Sequence, residues 1–204
     1  EDLQPVFARN LATVLIARDI EDAPLDFVGN DGVLAFKLVT EHLISLGHKR
    51  IAMIGGGQET TASKRRRAGF YTALKAHNIP FDASLVIDCE TTPDGGEAAI
   101  AEIMEYSNPP TAVGCFADLV ALGVLSGLHH MNYVPGRDLS VVSCDDIEEA
   151  SRGYVQLTTA RIQKSEIGRR AAEMLLERMA EPSLPPRKIL LEPELIVRRT
   201  CGSG

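Results

Sequence analysis

The sequence lacks the features that announce a membrane protein, a metal site or a nucleic-acid surface. No apolar run approaches the roughly 18 residues that a bilayer-crossing helix needs. Glu1-Asp2-Leu3-Gln4 shows no basic leader ahead of an apolar stretch, so no secretory signal is read and no membrane partner is expected. An initiator Met is also missing, which leads us to expect a fragment of a longer chain. Positive charge is scarce, with a net charge of −7. Duplex DNA is a polyanion, and tight binding to it takes a clustered basic surface that releases counterions. The run Lys64-Arg65-Arg66-Arg67 sits in acidic surroundings, so these residues alone are not expected to hold DNA tightly.

Metal and redox spacings are absent too. Cys89, Cys115, Cys144 and Cys201 are scattered without a C-x-x-C pair, so neither zinc nor a redox couple is expected. Cys115 and Cys144 lie in apolar runs and read as buried small hydrophobes. Such cysteine usage fits a reducing cytoplasm. His129 and His130 are adjacent, which on a helix turns them about 100° apart and argues against a shared metal. Enzyme signatures fail on the same grounds. Gly55-Gly56-Gly57-Gln58-Glu59-Thr60 lacks the third glycine of a dinucleotide fingerprint and the Gly-Lys-Ser/Thr of a phosphate loop. No G-x-S-x-G elbow and no H-E-x-x-H occurs. We expect no enzyme and no cofactor.

What is present is an alternation of short β-branched runs with helical stretches. At 204 residues, 45% hydrophobic and 24% charged, the chain can bury one sizeable core or two small ones. Strands are predicted over Thr13–Ile16, Arg50–Ile54, Leu85–Ile87, Ala112–Phe116, Leu139–Cys144, Leu157–Ala160 and Lys188–Leu191. Helices are predicted over Leu3–Asn10, Asp31–Leu46, Ser63–His77, Gly95–Tyr106, Leu119–Met131 and Lys164–Met179. Near-continuous apolar strands alternating with helices point to an α/β fold with parallel sheets. In Asp31–Leu46 the stripe Ala35, Leu38, Val39, Leu43 and Leu46 recurs at helical spacing, and Gly47 ends it. In Lys164–Met179 the stripe is Ile167, Ala171, Met174, Leu175 and Met179. Pro182, Pro185 and Pro186 stop that helix and return the chain to a strand.

In open α/β sheets ligands bind beyond the carboxyl ends of the strands. Three such ends carry suggestive residues. One runs into Gly55–Gly57, Thr60, Thr61 and Arg66, another into Ala117-Asp118, and a third into Asp145-Asp146. Arg66 shares the helix sector of Phe70, Ala73 and Leu74, so it faces inward near a helix N-terminus and needs a partner. That partner is either a ligand's polar groups or Asp145, the latter making a structural ion pair. One of Asp145 and Asp146 is expected to cap the helix that follows, and Asp118 to cap the helix from Leu119.

One stretch carries a resemblance. His42-Leu43-Ile44-Ser45-Leu46-Gly47-His48-Lys49-Arg50-Ile51-Ala52-Met53-Ile54-Gly55-Gly56 resembles the signature HLIxLGHxRIAxIGG of LacI/GalR repressors. Arg66-Arg67-Ala68-Gly69-Phe70 with Ala73-Leu74 and Ile79-Pro80 is similar to the family's R-x-x-GF-x-x-AL…GIP stretch. Pro110-Thr111-Ala112, Ala121-Leu122-Gly123, Asp138–Val142 with Asp145-Asp146, Leu157-Thr158-Thr159 and Leu195–Arg199 follow in family order.

The resemblance implies two periplasmic-binding-protein-like α/β subdomains with a ligand cleft between them, each a doubly wound parallel sheet. It also implies a DNA-binding helix-turn-helix headpiece that precedes this chain. On that basis residues 30–163 and 186–200 are expected to form the C-terminal subdomain. Residues 1–29 and 164–185 are expected to form part of an incomplete N-terminal one, and 201–204 a tail. The function implied is small-molecule effector sensing in a transcriptional repressor, as a cytoplasmic homodimer that meets DNA only through the headpiece. Effector binding would favour the closed cleft and alter the spacing of paired headpieces on the operator.

Residue by residue, Arg66 matches the family arginine that grips the ligand and Asp145 the cleft aspartate. Thr60 and Ala62 fall at ligand-contacting positions. Ala17 stands where many members have an aspartate, Thr91 replaces a stacking aromatic, and Ala117 replaces the asparagine of an Asn-Asp pair, leaving Asp118. The resemblance implies a small-molecule effector of the sugar kind, and the losses point to an atypical sugar, a different small metabolite or no ligand at all. Two other functions fit the same pattern: a solute-binding protein of a transport system, and a small α/β enzyme using Asp145 or Asp118.

Overall fold

The computed structural model describes residues 11–20, 23–57, 60–152 and 156–202. The predicted Leu3–Asn10 helix lies outside them. The chain divides into two compact units, one of Glu1–Asp31 with Gln163–Glu192 and one of Gly32–Ile162 with Pro193–Gly204. Each is described on its own.

The larger unit is built on a six-stranded sheet. Its strands are β3 (Ile51–Ile54), β4 (Val86–Ile87), β5 (Ala112–Cys115), β6 (Ser140–Asp145), β7 (Thr158–Arg161) and β9 (Glu194–Ile196). They lie in the order β4-β3-β5-β6-β7-β9. All neighbours pair in parallel except β7 and β9, which are antiparallel. Parallel strands need helical crossovers, and the chain supplies α1 (Gly32–Ser45), α2 (Thr61–Ala76), α3 (Pro93–Met104) and α4 (Asp118–His130), with a short α5 (Glu148–Ser151).

Side chains alternate across the sheet to meet them. Ile51, Met53, Val142 and Cys144 join Phe36, Val39, Leu43 and Phe70 of α1 and α2 on one face. Ala52, Ile54, Val113, Cys115 and Val141 join Ile100, Ile103, Val124 and Leu128 of α3 and α4 on the other. A sheet buried on both faces explains why its strands read as unbroken apolar runs rather than alternating ones. The helices approach closely where glycine allows it. A Cβ on Gly123 of α4 would stand 1.8 Å from the Pro93 carbonyl oxygen of α3.

The smaller unit is a three-stranded parallel sheet, β1 (Val14–Ile16), β2 (Asp26–Asn30) and β8 (Lys188–Leu191), with helix α6 (Lys164–Ala180). Asp26, buried, accepts from Arg178 Nε at 3.0 Å and Nη2 at 3.0 Å and from the Arg187 backbone N–H at 2.8 Å. Burial alone would raise the Asp26 pKa, but these donors outweigh it and hold the carboxyl below its ordinary value.

Four expectations are corrected here. Lys188–Leu191, assigned to the larger subdomain, pairs instead with β2 through Phe27↔Lys188 to Asn30↔Leu191. Strand β2, absent from the predicted strands, buries Asp26, a residue strands disfavour, against Arg178 and the Arg187 N–H. Leu46 and Met179, placed on apolar stripes, are exposed at helix ends. Cys201, placed in a tail, is buried. Its thiol lies 3.1 Å from His42 Nε2 and 3.1 Å from Thr158 Oγ1.

Candidate functional site

In chain order the strands of the large sheet run outward from β3 in two directions, to β4 on one side and to β5, β6 and β7 on the other. The order therefore reverses between β3 and β5, and at such a switch point the loops beyond the carboxyl ends part to leave a crevice. The first loop there is Gly55-Gly56-Gly57. Gly55 has φ +101° and Gly56 φ +79°, and a Cβ on Gly55 would come within 2.8 Å of Phe116 Cβ. Only glycine permits both the left-handed backbone and this approach.

Thr60 then caps α2, its hydroxyl accepting from the Ser63 N–H at 3.1 Å. One and a half turns on, Arg66 points inward as its helical angle predicts, and is only 7% exposed. Nη2 donates to Asp145 Oδ1 at 2.8 Å, and Nη1 donates to the Phe116 carbonyl. The guanidinium carbon sits 4.5 Å from the centre of the Phe116 ring, a cation–π contact. Burial disfavours the cation, yet the Asp145 carboxylate beside it more than compensates and raises the arginine pKa.

Asp145 ends β6 with φ 132°, and Asp146 follows at φ 50°. Both are non-glycine residues in the left-handed half of backbone space, which is uncommon and costs energy. Neither caps α5, which corrects the expected role. The cap position is Ile147, and its N–H donates instead to Asp118 Oδ2 at 2.9 Å. Asp146 accepts from Arg161 Nε at 2.7 Å and from Arg198 Nη2 at 2.6 Å.

Asp118 is likewise not a helix cap; Ala117 holds that position in α4 and contributes no side-chain bond. Asp118 is fully buried and accepts from the Ser143 hydroxyl, from the Thr159 hydroxyl at 2.7 Å and from Ile147. Burial raises its pKa, and the hydrogen bonds only partly offset that. It ties β6, β7 and α5 together beneath the strand ends.

Of the remaining candidates, Ala62 is half-buried in the first turn of α2, Thr91 is exposed after β4, and Ala117 is buried at the start of α4. Ala17 belongs to the smaller unit, where it follows β1 with φ 60°. The structure thus joins Arg66 and Asp145 directly, and sets Thr60, Ala62 and Ala117 on the loops and helix starts beside them. Phe116 and Asp146 complete the arrangement; the sequence marks Asp146 only as a strand-end acid that could cap the next helix, and gives Phe116 no role. The signal for Phe116 was a large ring at a strand end opposite a glycine run.

Chemically, the pair is charge-neutral. The Asp145 side chain keeps 24% of its surface open, so a carboxylate edge remains for hydroxyl or amide donors. The Cys144 thiol beside it is pushed up to about 12 by burial and stays protonated at neutral pH. Among the described residues no cluster of His, Cys, Asp and Glu is arranged to hold a metal ion. No helix among them is long and apolar enough to cross a membrane. A surface cavity of about 750 Å³ bordered by Tyr71, Leu74, Lys75 and Phe81 lies at the other end of α2 and shares none of these groups.

Comparison with known proteins places the chain in a family. Residues 40–201 match the model of the periplasmic binding protein-like domain. The chain is 33% identical over 186 residues to the HTH-type transcriptional repressor PurR of Actinobacillus pleuropneumoniae serotype 3 (strain JL03), covering 90% of this chain and 54% of that protein. It therefore spans about half the length of such repressors. A LacI transcriptional regulator from Bacillus cereus subsp. cytotoxis NVH 391-98 superposes with a TM-score of 0.90 at 32% identity, covering 98% of this chain and 71% of that one. A LacI family regulator from Enterococcus faecium with bound ribose gives a TM-score of 0.85 at 25% identity, over 92% and 69% of the two chains. The family model over residues 40–201 and these structural matches make the chain a member of the LacI family of transcriptional regulators, namely its effector-binding domain.

Proposed function

We propose that the strand-end site of the larger unit binds a small, uncharged, polar effector, and that binding regulates DNA recognition by a headpiece elsewhere in the full-length repressor. The observation that carries this reading is the Arg66–Asp145 pair itself. A buried guanidinium and a partly open carboxylate are held 2.8 Å apart at the carboxyl edge of a doubly wound sheet. Because the two charges cancel, an anionic ligand would have to displace Asp145 and a cationic one Arg66. Hydroxyls can instead accept from the guanidinium edge and donate to the carboxylate without breaking the pair. Ribose bound to the Enterococcus relative supports a sugar-like effector. A homodimer in the cytoplasm, without catalytic turnover, completes the reading by analogy with the family.

The test is calorimetry and thermal shift on the 204-residue chain with ribose, other neutral pentoses and hexoses, and neutral nucleosides. A ligand selective for the native state raises the apparent stability by about 2.7 kcal/mol at a hundredfold excess over Kd. Arg66→Ala and Asp145→Asn should each weaken binding of the hit at least tenfold. If neither variant changes the affinity, the effector does not use this pair and the reading is wrong. The transport-protein alternative is not favoured, since the relatives compared above are transcriptional regulators.

A further inference from the structure

We infer that Asp146 is a positioning residue for the effector site: its two arginine contacts hold the left-handed backbone that turns Asp145 onto Arg66. This rests on the reading of Asp145 as an effector contact. Successive strand residues ordinarily point to opposite faces and keep φ negative. Here the strand ends with two consecutive non-glycine residues at φ 132° and φ 50°. Such a conformation persists only where the surroundings over-determine it. Among the described residues the Asp145 carboxylate is held by a single hydrogen-bonded ion pair, to Arg66. The Asp146 carboxylate, with its side chain only 9% exposed, is gripped on both oxygens.

Oδ2 takes Arg161 Nε from the last residue of β7, which lies in register beside Asp145. Oδ1 takes Arg198 Nη2, from the segment after β9. Arg198 is itself fastened, with Nη1 on the Leu157 carbonyl at 2.8 Å and its backbone N–H on Thr158 Oγ1 at 2.9 Å. The strained turn is therefore bolted to two neighbouring strand ends, and Asp145 leaves it at a set angle. Burial opposes the Asp146 anion, but the two arginines prevail and keep it ionised well below neutral pH.

A double-mutant cycle on the 204-residue chain tests this, with affinity for the ribose-panel hit as the readout. Asp146→Asn should weaken binding about tenfold in the parent and less than twofold when Asp145→Asn is already present, since its effect passes through Asp145. Arg161→Gln, at a half-exposed partner, should reproduce about a threefold loss without threatening the fold. A tenfold loss from Asp146→Asn in both backgrounds would mean a general structural role and overturn the inference while leaving the effector site intact. Unchanged affinity in both Asp146→Asn and Arg161→Gln would also overturn it. If Asp145→Asn alone costs nothing, Asp145 is no effector contact and the inference falls; if Arg66→Ala also costs nothing, or no compound binds the parent chain, the underlying effector reading fails with it.

Discussion

The two halves of the Arg66–Asp145 pair are not equally buried, and their removal should therefore not cost the same. The Arg66 side chain is 9% exposed, with a ring over the guanidinium, whereas the Asp145 side chain is 24% exposed. Asp145→Asn leaves a cation with little access to water. Removing one partner of a fully buried pair costs about 3–5 kcal/mol. The remaining asparagine carbonyl still accepts one bond, which brings the expectation to about 2–3 kcal/mol. Arg66→Met leaves a carboxylate that water can reach and keeps the apolar stem. Its cost, including about 0.5–1 kcal/mol of lost cation–π contact, should be about 1–2 kcal/mol.

Urea unfolding followed by far-UV circular dichroism at pH 7 reads both variants against the parent. With m near 2 kcal/mol/M, the asparagine variant should lose about 1 M in midpoint and the methionine variant about half of that. Adding 0.5 M NaCl should change these differences little, because buried pairs are weakly screened. A methionine variant that loses more than the asparagine variant at equal m, or a gap that closes in salt, would refute the argument from burial.

Two further outcomes are expected. His48 bridges Thr111 Oγ1 and Ser140 Oγ at 2.9 Å each, and burial lowers its pKa, as it does for His42. The unfolded chain then takes up protons first as pH falls, so stability drops from about pH 6.5 downward toward the depressed folded values. His48→Gln should flatten part of that slope in urea midpoints measured at pH 7, 6 and 5, and an unaltered slope would contradict it. Gly123→Ala would press a methyl group onto the Pro93 carbonyl, so α3 and α4 must separate. A loss of about 1–3 kcal/mol in the same urea assay is expected, and a neutral result would show that the helix pair yields freely.

The sequence by itself determined the α/β class, the parallel strands and most helix positions. Those depend on local periodicity and on strands buried on both faces, which leave unbroken runs such as Ile51–Ile54. It also located Arg66, since a cation in the sector of Phe70 and Leu74 is conspicuous on a helical wheel. Other features became visible only through contacts between distant segments. Strand β2 carries Asp26, whose burial in a strand depends on Arg178, far along the chain, folding against it. The allegiance of Lys188–Leu191 depends on which edge strand receives it, and its own pattern is silent on that.

The carboxylates show the limit most clearly. Asp118, Asp145 and Asp146 were indistinguishable as strand-end acids with the option of capping a helix. Tertiary packing gave the first to buried hydroxyls, the second to Arg66 and the third to two arginines. A carboxylate's role is set by which donors fold against it, and those donors lie 15 to 79 residues away along the chain.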